Sequence, residues 1–366
     1  MKKIAFYLAD QNPHRDRSLG ITTITKTLMG SLVGMPAYSL SQIVSESSFQ
    51  FEHQDVNRHA LPWRTDGGKA SRILTDNLHP LFLSGLKPDI WLYPKGYISY
   101  VSKPKGVVVS IMHDTLLQHY ADHYPETRSR LDLAYWLGLM KASIRRSDHI
   151  LTVSQNAKQQ ILSFADRYSI AVPEIHVTYE ASDFEDLSPA SQTDKGDYVL
   201  HLASDQPHKC TLQFLQLWQQ LQTVESEVPP LYMVGNFTSG VTQMAHAMKG
   251  VTLKSRLSNA EFVDTIRKAR ALIFPSEMEG FGLPAIEAYF LNTPVCYVAN
   301  TAVAEILSHD VRAGQYELNN FDSFSQALKE VLSLSHASID ESRLRLLDRY
   351  SKKKYLESVN SLLSAI

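Results

Sequence analysis

The sequence predicts an α/β protein of two Rossmann-like domains, each a parallel sheet flanked by helices, and three observations carry that expectation. Short apolar, β-rich runs alternate with longer stretches of helical period, as in repeated strand–helix–strand units. The alternation lapses once, over the polar stretch DFEDLSPASQTDKG at 183–196, and then restarts. At 366 residues the chain exceeds one ordinary core and suits two.

Taken in order, Ile4–Leu8 reads as a first buried strand, followed by a polar loop and a helix from about Gly20. Asp89–Tyr93, Gly106–Met112 and His149–Val153 are further strands. Between the last two lies an amphipathic helix, Leu131–Arg146, with aromatic Tyr135 and Trp136 and a basic end at Arg145 and Arg146. Ser154 reads as the N-cap of a helix reaching about Phe164. Beyond the polar stretch, read as the interdomain linker, Tyr198–Ala203, Leu231–Val234, Val251–Leu253, Ala271–Phe274 and Val295–Val298 are strands, and Leu344–Ile366 is helical. The expected domains are 1–185, with 346–366 crossing back to it, and 190–345. Two such units joined by one linker would face a deep interdomain cleft, and parallel sheets bind ligands at the carboxyl ends of their strands.

Composition narrows the function classes. With 44% hydrophobic and 20% charged residues the chain is globular, and its net charge of −2 lacks the basic excess of a nucleic-acid binder. Its two cysteines, Cys210 and Cys296, show neither metal-ligand spacing nor a disulfide framework. The basic opening MKKIAFYLAD has its apolar run cut at Asp10, too early for the apolar core of a signal peptide. No run approaches the ~18 apolar residues of a membrane span. The expectation is a cytoplasmic protein. For Leu131–Arg146 two readings stand: a half-buried core helix, or a helix resting on the anionic inner face of a membrane.

The segment Pro275–Val298, PSEMEGFGLPAIEAYFLNTPVCYV, carries the chemistry. It follows a strand and turns through Glu279 and Gly280–Leu283 into a helix with Pro284 at its start, where a missing N–H costs nothing. Gly280 and Gly282 allow positive φ and close backbone approach. The amides of Phe281, Gly282 and Leu283, backed by the positive helix end, form an anion or hydroxyl site. Glu287, about one turn into the helix, reaches back toward it. Glu279 and Glu287 thus offer carboxylates for vicinal hydroxyls, which a nucleotide sugar presents on both ribose and hexose. The alternative is a helix cap beside a surface carboxylate.

This segment resembles the signature of the retaining glycosyltransferases of family four (glycosyltransferases group 1), which have the GT-B fold. The resemblance rests on Glu279, Gly280, Phe281, Gly282, Leu283, Pro284, Glu287 and, further on, Thr293, Pro294 and Val295. Asn292 stands where the family usually has Gly, and Asn tolerates the left-handed conformation such a turn needs. The resemblance implies that Glu279 contacts the transferred sugar near its leaving group, that Glu287 holds the ribose hydroxyls, and that the amides after Glu279 face sugar and diphosphate. The stretch Ser204–Lys209 is similar to the family's loop ending in Pro-x-Lys, which implies that Lys209 is the diphosphate-binding lysine; a solvated surface lysine is the alternative. Ser204 replaces the arginine the family often carries there. His113, followed by Asp114, is similar to a His-Asp pair that meets the donor sugar; a packed core histidine is the alternative.

Gly20 stands where the family uses a glycine-rich turn near the donor phosphates, and an ordinary helix start explains it equally. His14, Arg15 and Arg17 form a basic cluster that could meet an anionic acceptor or simply be solvated. Arg256 and Leu257 fall where relatives contact the base. The chain contains no Asp-x-Asp, so the resemblance is to metal-independent enzymes with no cofactor beyond the nucleotide-sugar co-substrate.

The expected function is hexosyl transfer from a nucleotide-diphosphate sugar to an acceptor hydroxyl with retention. Glu279, Lys209 and His113 would be the catalytic groups, and the family's habits suggest a surface-polysaccharide or lipid-linked glycan acceptor. The rivals are an idle nucleotide-sugar-binding partner subunit and another GT-B enzyme such as a sugar-nucleotide epimerase. A nicotinamide oxidoreductase is disfavoured because the first strand lacks the three-glycine fingerprint.

Overall fold

The apolar run after the basic opening forms β1 (Lys2–Tyr7), with Ile4–Tyr7 buried on both faces as in the middle of a parallel sheet. The structure is a computed structural model and describes all residues except 13–18, 65–67 and 312, and the side chain of Leu19. The basic cluster His14, Arg15 and Arg17 therefore lies outside the described residues. The chain divides into two compact units, Met1–Ala181 with Lys352–Ile366, and Ser182–Ser351.

In the first unit β1 is followed by α1 (Leu19–Leu32), β2 (Tyr38–Val44), β3 (Val56–Ala60), α2 (Gly68–Phe82), β4 (Ile90–Tyr93) and β5 (Val107–Met112). Then come α3 (Leu116–His123), α4 (Arg130–Arg146), β6 (His149–Thr152), α5 (Gln155–Arg167) and β7 (Glu174–Val177). Among the described residues the strands lie in the order β3-β2-β1-β4-β5-β6-β7, and every pairing is parallel. The order reverses between β1 and β4, as in a doubly wound sheet. α4 turns Leu133, Trp136, Leu139, Met140 and Ile144 inward, and Arg146 donates to the carbonyls of Ser99 and Tyr100 at 2.7 and 2.6 Å. Its apolar and aromatic face is core, which leaves Leu131 as the helix's exposed large apolar residue. Ser154 caps α5 as expected, its Oγ accepting from Ala157 N at 2.9 Å.

The second unit repeats the plan. It contains β8 (Val199–Ala203), α6 (Thr211–Val224), β9 (Leu231–Gly235), α7 (Ser239–His246), β10 (Val251–Lys254), α8 (Asn259–Lys268) and β11 (Ala271–Phe274). It continues with α9 (Leu283–Phe290), β12 (Val295–Val298), α10 (Ala302–Leu307), β13 (Gln315–Tyr316), α11 (Phe321–Ser333) and α12 (His336–Arg349). The strand order is β10-β9-β8-β11-β12-β13, again all parallel. Trp218, Phe214, Phe324 and Tyr316 fill one side of this sheet.

Two expectations need revising. The stretch read as a linker, 183–196, is fastened to the second unit: Ala190 N donates to Leu291 O at 3.2 Å and Gly196 N to Lys268 O at 2.8 Å. Lys195 Nζ donates to Arg267 O, Ala269 O and Thr293 Oγ1 at 2.8–2.9 Å. The helix expected over Leu344–Ile366 is two helices, since α12 stops at Arg349 and α13 (Lys352–Ala365) begins anew. Tyr350 explains the break, with its hydroxyl on Ile306 O at 3.2 Å and its ring edge-on to Phe281 at 5.8 Å. It belongs to the second unit, whereas α13 belongs to the first. There Tyr355, Val359, Leu362 and Leu363 are buried, and Lys2 and Tyr38 bond Leu363 O and Asn360 Oδ1.

Candidate active site

In the second unit β8 and β11 are neighbours, but β9 is laid down on one side of them and β12 on the other. The loops leaving their carboxyl ends must part there, and the crevice between them is where open α/β sheets take ligands. Both segments singled out in the sequence emerge at this point: Ser204–Lys209 from β8, and Pro275–Gly282 from β11.

The two loops are tied together. His201, buried on β8, bonds Ile273 O of β11 and Thr211 Oγ1 of α6, each at 3.1 Å. Burial lowers its pKa to about 4, so the imidazole is neutral and acts as a cross-brace. One layer out, Glu277 N donates to His208 O at 3.0 Å. At the tip Lys209 Nζ pairs with Glu279 Oε1 at 2.5 Å, with side chains 25% and 14% exposed, and the ammonium lies 5.6 Å from the centre of the Phe274 ring. A cation and a carboxylate from loops seventy residues apart in sequence thus face the same solvent-reachable spot.

Gly282 turns the chain from this loop into α9 at φ +105°, and a Cβ there would lie 2.5 Å from Val303 Cγ2. Only glycine satisfies both conditions. Pro284 is the second residue of α9, one place further in than expected, still among positions whose N–H has no helical partner. Phe281 is buried and Leu283 half-buried. Glu287, one turn into α9, is half-buried and accepts from Ser182 Oγ at 2.7 Å. Asn292 takes the left-handed conformation at φ 60° that its place before Thr293-Pro294 demands, and Thr293 Oγ1 donates to Ile266 O at 2.7 Å.

The remaining expected residues are scattered. Ser204 organises its loop, its Oγ accepting from Gln206 N at 3.1 Å. Arg256, exposed, and Leu257, half-buried, follow the carboxyl end of β10, at the same end of the sheet but two strands from β8. His113 and Gly20 belong to the first unit. His113 has both ring nitrogens engaged, Nδ1 with Glu180 Oε1 at 3.1 Å and Nε2 with Pro94 O at 2.9 Å. Burial would lower its pKa, but the Glu180 hydrogen bond and charge outweigh that and raise it. Asp114 fixes the next turn, accepting from Leu116 N at 2.9 Å. Gly20 is the exposed second residue of α1, and a Cβ there would meet nothing within 4 Å among the described residues.

Glu180, His201, His208 and Ser182 were not singled out in the sequence. The first unit also holds Asp10, Asp76 and Lys95 where β1 and β4 part. Lys95 Nζ donates to Asp10 O at 2.8 Å, and Asp10 Oδ1 is buried with no partner among the described residues. Burial and the charge of Asp76, opposed by Lys95, raise the Asp10 pKa to about 7.

Two doubly wound units in one chain define a fold class, and comparison with solved structures agrees. The sucrose-phosphate synthase of Thermosynechococcus elongatus superposes with a TM-score of 0.74 at 13% identity, over 100% of this chain and 99% of that one. Anabaena HepE in complex with UDP and glucose does so at 0.70 and 13%, over 100% of both chains. The fold is GT-B. Residues 183–354, the second unit almost entire, match the model of the family described as glycosyl transferases group 1. The O-antigen chain mannosyltransferase of Salmonella typhimurium is 29% identical over 223 residues, 59% of each chain. The alignment therefore spans less than two thirds of that relative. Among the described residues, no helix is long and apolar enough to cross a membrane.

Proposed function

We propose that the chain transfers a hexosyl group from a nucleotide-diphosphate sugar to an acceptor hydroxyl, with retention and without a metal ion. The observation that carries this reading is the Lys209–Glu279 pair at the strand-order reversal of the second unit, beside the amides that open α9. Bond breaking between the anomeric carbon and the diphosphate oxygen builds negative charge on the phosphate and positive charge on the sugar. Lys209 and the amides of Phe281, Gly282 and Leu283 answer the first; the Glu279 carboxylate answers the second and orients the sugar. Glu287 accepts from the ribose hydroxyls, already positioned by Ser182. The acceptor hydroxyl attacks from the departing face and its proton passes to the leaving phosphate, so no protein nucleophile is assigned. His113, with both ring nitrogens engaged, would have to release Pro94 O or Glu180 before it could meet any ligand.

The Salmonella relative is named for mannose, and the Anabaena structure holds UDP and glucose; a glycan or lipid-linked acceptor fits the first of these. A thermal-shift screen of nucleoside diphosphates and their mannosyl and glucosyl derivatives identifies the donor, since a ligand of the native state raises the melting temperature. Product analysis with the stabilising donor should then give an α-configured glycoside, undiminished by EDTA. Binding without transfer to any acceptor would indicate an idle partner subunit, and isomerised donor would indicate an epimerase. A screen in which no activated sugar raises the melting temperature ends the proposal.

A further inference from the structure

We propose that His149, Glu174 and His176 bind a divalent cation of the zinc type on the edge of the first unit's sheet, apart from the transfer chemistry. The strands themselves create the site. β6 and β7 pair in parallel with His149 opposite Glu174, so these two side chains leave the sheet on the same face. His176 is two residues beyond Glu174 and shares that face by the period-2 alternation of a strand. The intervening residues Ile150 and Ile175 point the other way, into the core. Three donors from adjacent strands are thereby gathered without any loop.

His149 Nδ1 lies 3.4 Å from His176 Nε2, which lies 3.5 Å from Glu174 Oε2. All three atoms are within 4.8 Å of one another. Two imidazole nitrogens on a tetrahedral zinc at 2.0–2.1 Å stand about 3.3 Å apart, so an ion can enter between the rings with little movement. Two imidazoles and one carboxylate suit zinc, copper or nickel, not magnesium or calcium, which prefer oxygen cages. His176 and Glu174 are 26% and 70% exposed, which admits the ion and water for the remaining position. The nearby cation, Lys158, is held on Ile175 O at 3.1 Å, and the Glu174 carboxylate offsets it. His149 and Glu174 begin their strands. The site is therefore at the amino end of the sheet, opposite the carboxyl end from which His113 emerges. Its role is to clamp the edge strand β7 to β6.

The test uses the untagged full-length chain stripped with chelator. Zinc titrated by calorimetry should bind one ion per chain at this site and raise the melting temperature. His149→Ala and His176→Ala should each weaken that binding at least tenfold, and Glu174→Gln should weaken it less. Cobalt in place of zinc should give the visible absorption of a four-coordinate ion, lost in the same variants. If the two rings merely share a hydrogen bond, wild-type protein takes up no zinc, or all three variants bind as it does, and the proposal is overturned.

Discussion

Lys209 and Glu279 illustrate how much a single pair decides. Both are partly shielded but still reach solvent, so the partner left behind when one is removed can be rehydrated, and the loss of stability is smaller than for a fully buried pair. Lys209→Ala and Glu279→Gln should each reduce transfer by 10²–10³-fold, the usual cost of losing one group that stabilises developing charge, while the melting temperature moves by only a few degrees. Initial-rate assays on variants matched by circular dichroism check this; wild-type rates in both would remove these residues from the mechanism. Asp10 makes the opposite kind of case. Its pKa of about 7 exceeds the unfolded value of 3.8, so between those values the folded state binds more protons and stability falls as pH rises. Asp10→Asn should therefore be more stable than wild type at pH 8, by on the order of 4 kcal/mol, with the advantage vanishing near pH 4. Urea denaturation at both pH values measures it. These residues differ in legibility. Glu279 sits in a string whose spacing explains itself, whereas Asp10, Glu180 and His201 gain their meaning from partners far along the chain, such as Ile273 for His201.

At the level of elements, legibility followed burial. The central strands β1, β4, β5, β8, β11 and β12 are mostly apolar because both their faces are covered, and their positions match the readings to within a residue or two. The strands missed were those whose composition resembles loops. β3 (VNRHA) and β7 (EIHV) are edge strands with exposed or half-exposed polar residues, and β13 is two residues long. β2 (YSLSQIV) interleaves serines and a glutamine with its apolar residues. Helix starts were read better because capping is local. Ser154, fully buried, caps α5 through Ala157 N. Ser154→Ala should cost about 1–2 kcal/mol in denaturant unfolding and leave donor binding unchanged. A loss near zero would mean that water or another acceptor serves the same amide.

At the scale of the molecule, the arrangement most hidden from the sequence is the return of the last helix. Nothing in KKKYLESVNSLLSA distinguishes a helix of the second unit from one of the first. The assignment depends on Tyr350 ending α12 and on the buried side of α13 meeting β1 and β2 residues that lie more than 300 positions earlier. This makes the two units unequal in their dependence on the C-terminus. Removing Lys352–Ile366 takes Tyr355, Val359, Leu362 and Leu363 out of the first unit's core, at roughly 1.5–3 kcal/mol for each large apolar side chain. That is comparable to the whole stability of an ordinary domain. The second unit loses no core residue, since it is continuous from Ser182 to Ser351. A chain ending at Ser351 should show the first unit's transition lowered or abolished in calorimetry. Tryptophan fluorescence would follow it through Trp63, Trp91 and Trp136, with Trp218 alone reporting the second unit. If the donor site is complete within the second unit, the truncated chain should still bind the nucleoside diphosphate within about tenfold of the full chain, yet transfer no sugar. Loss of nucleotide binding with the second unit's transition intact would show that the first unit supplies part of the donor site.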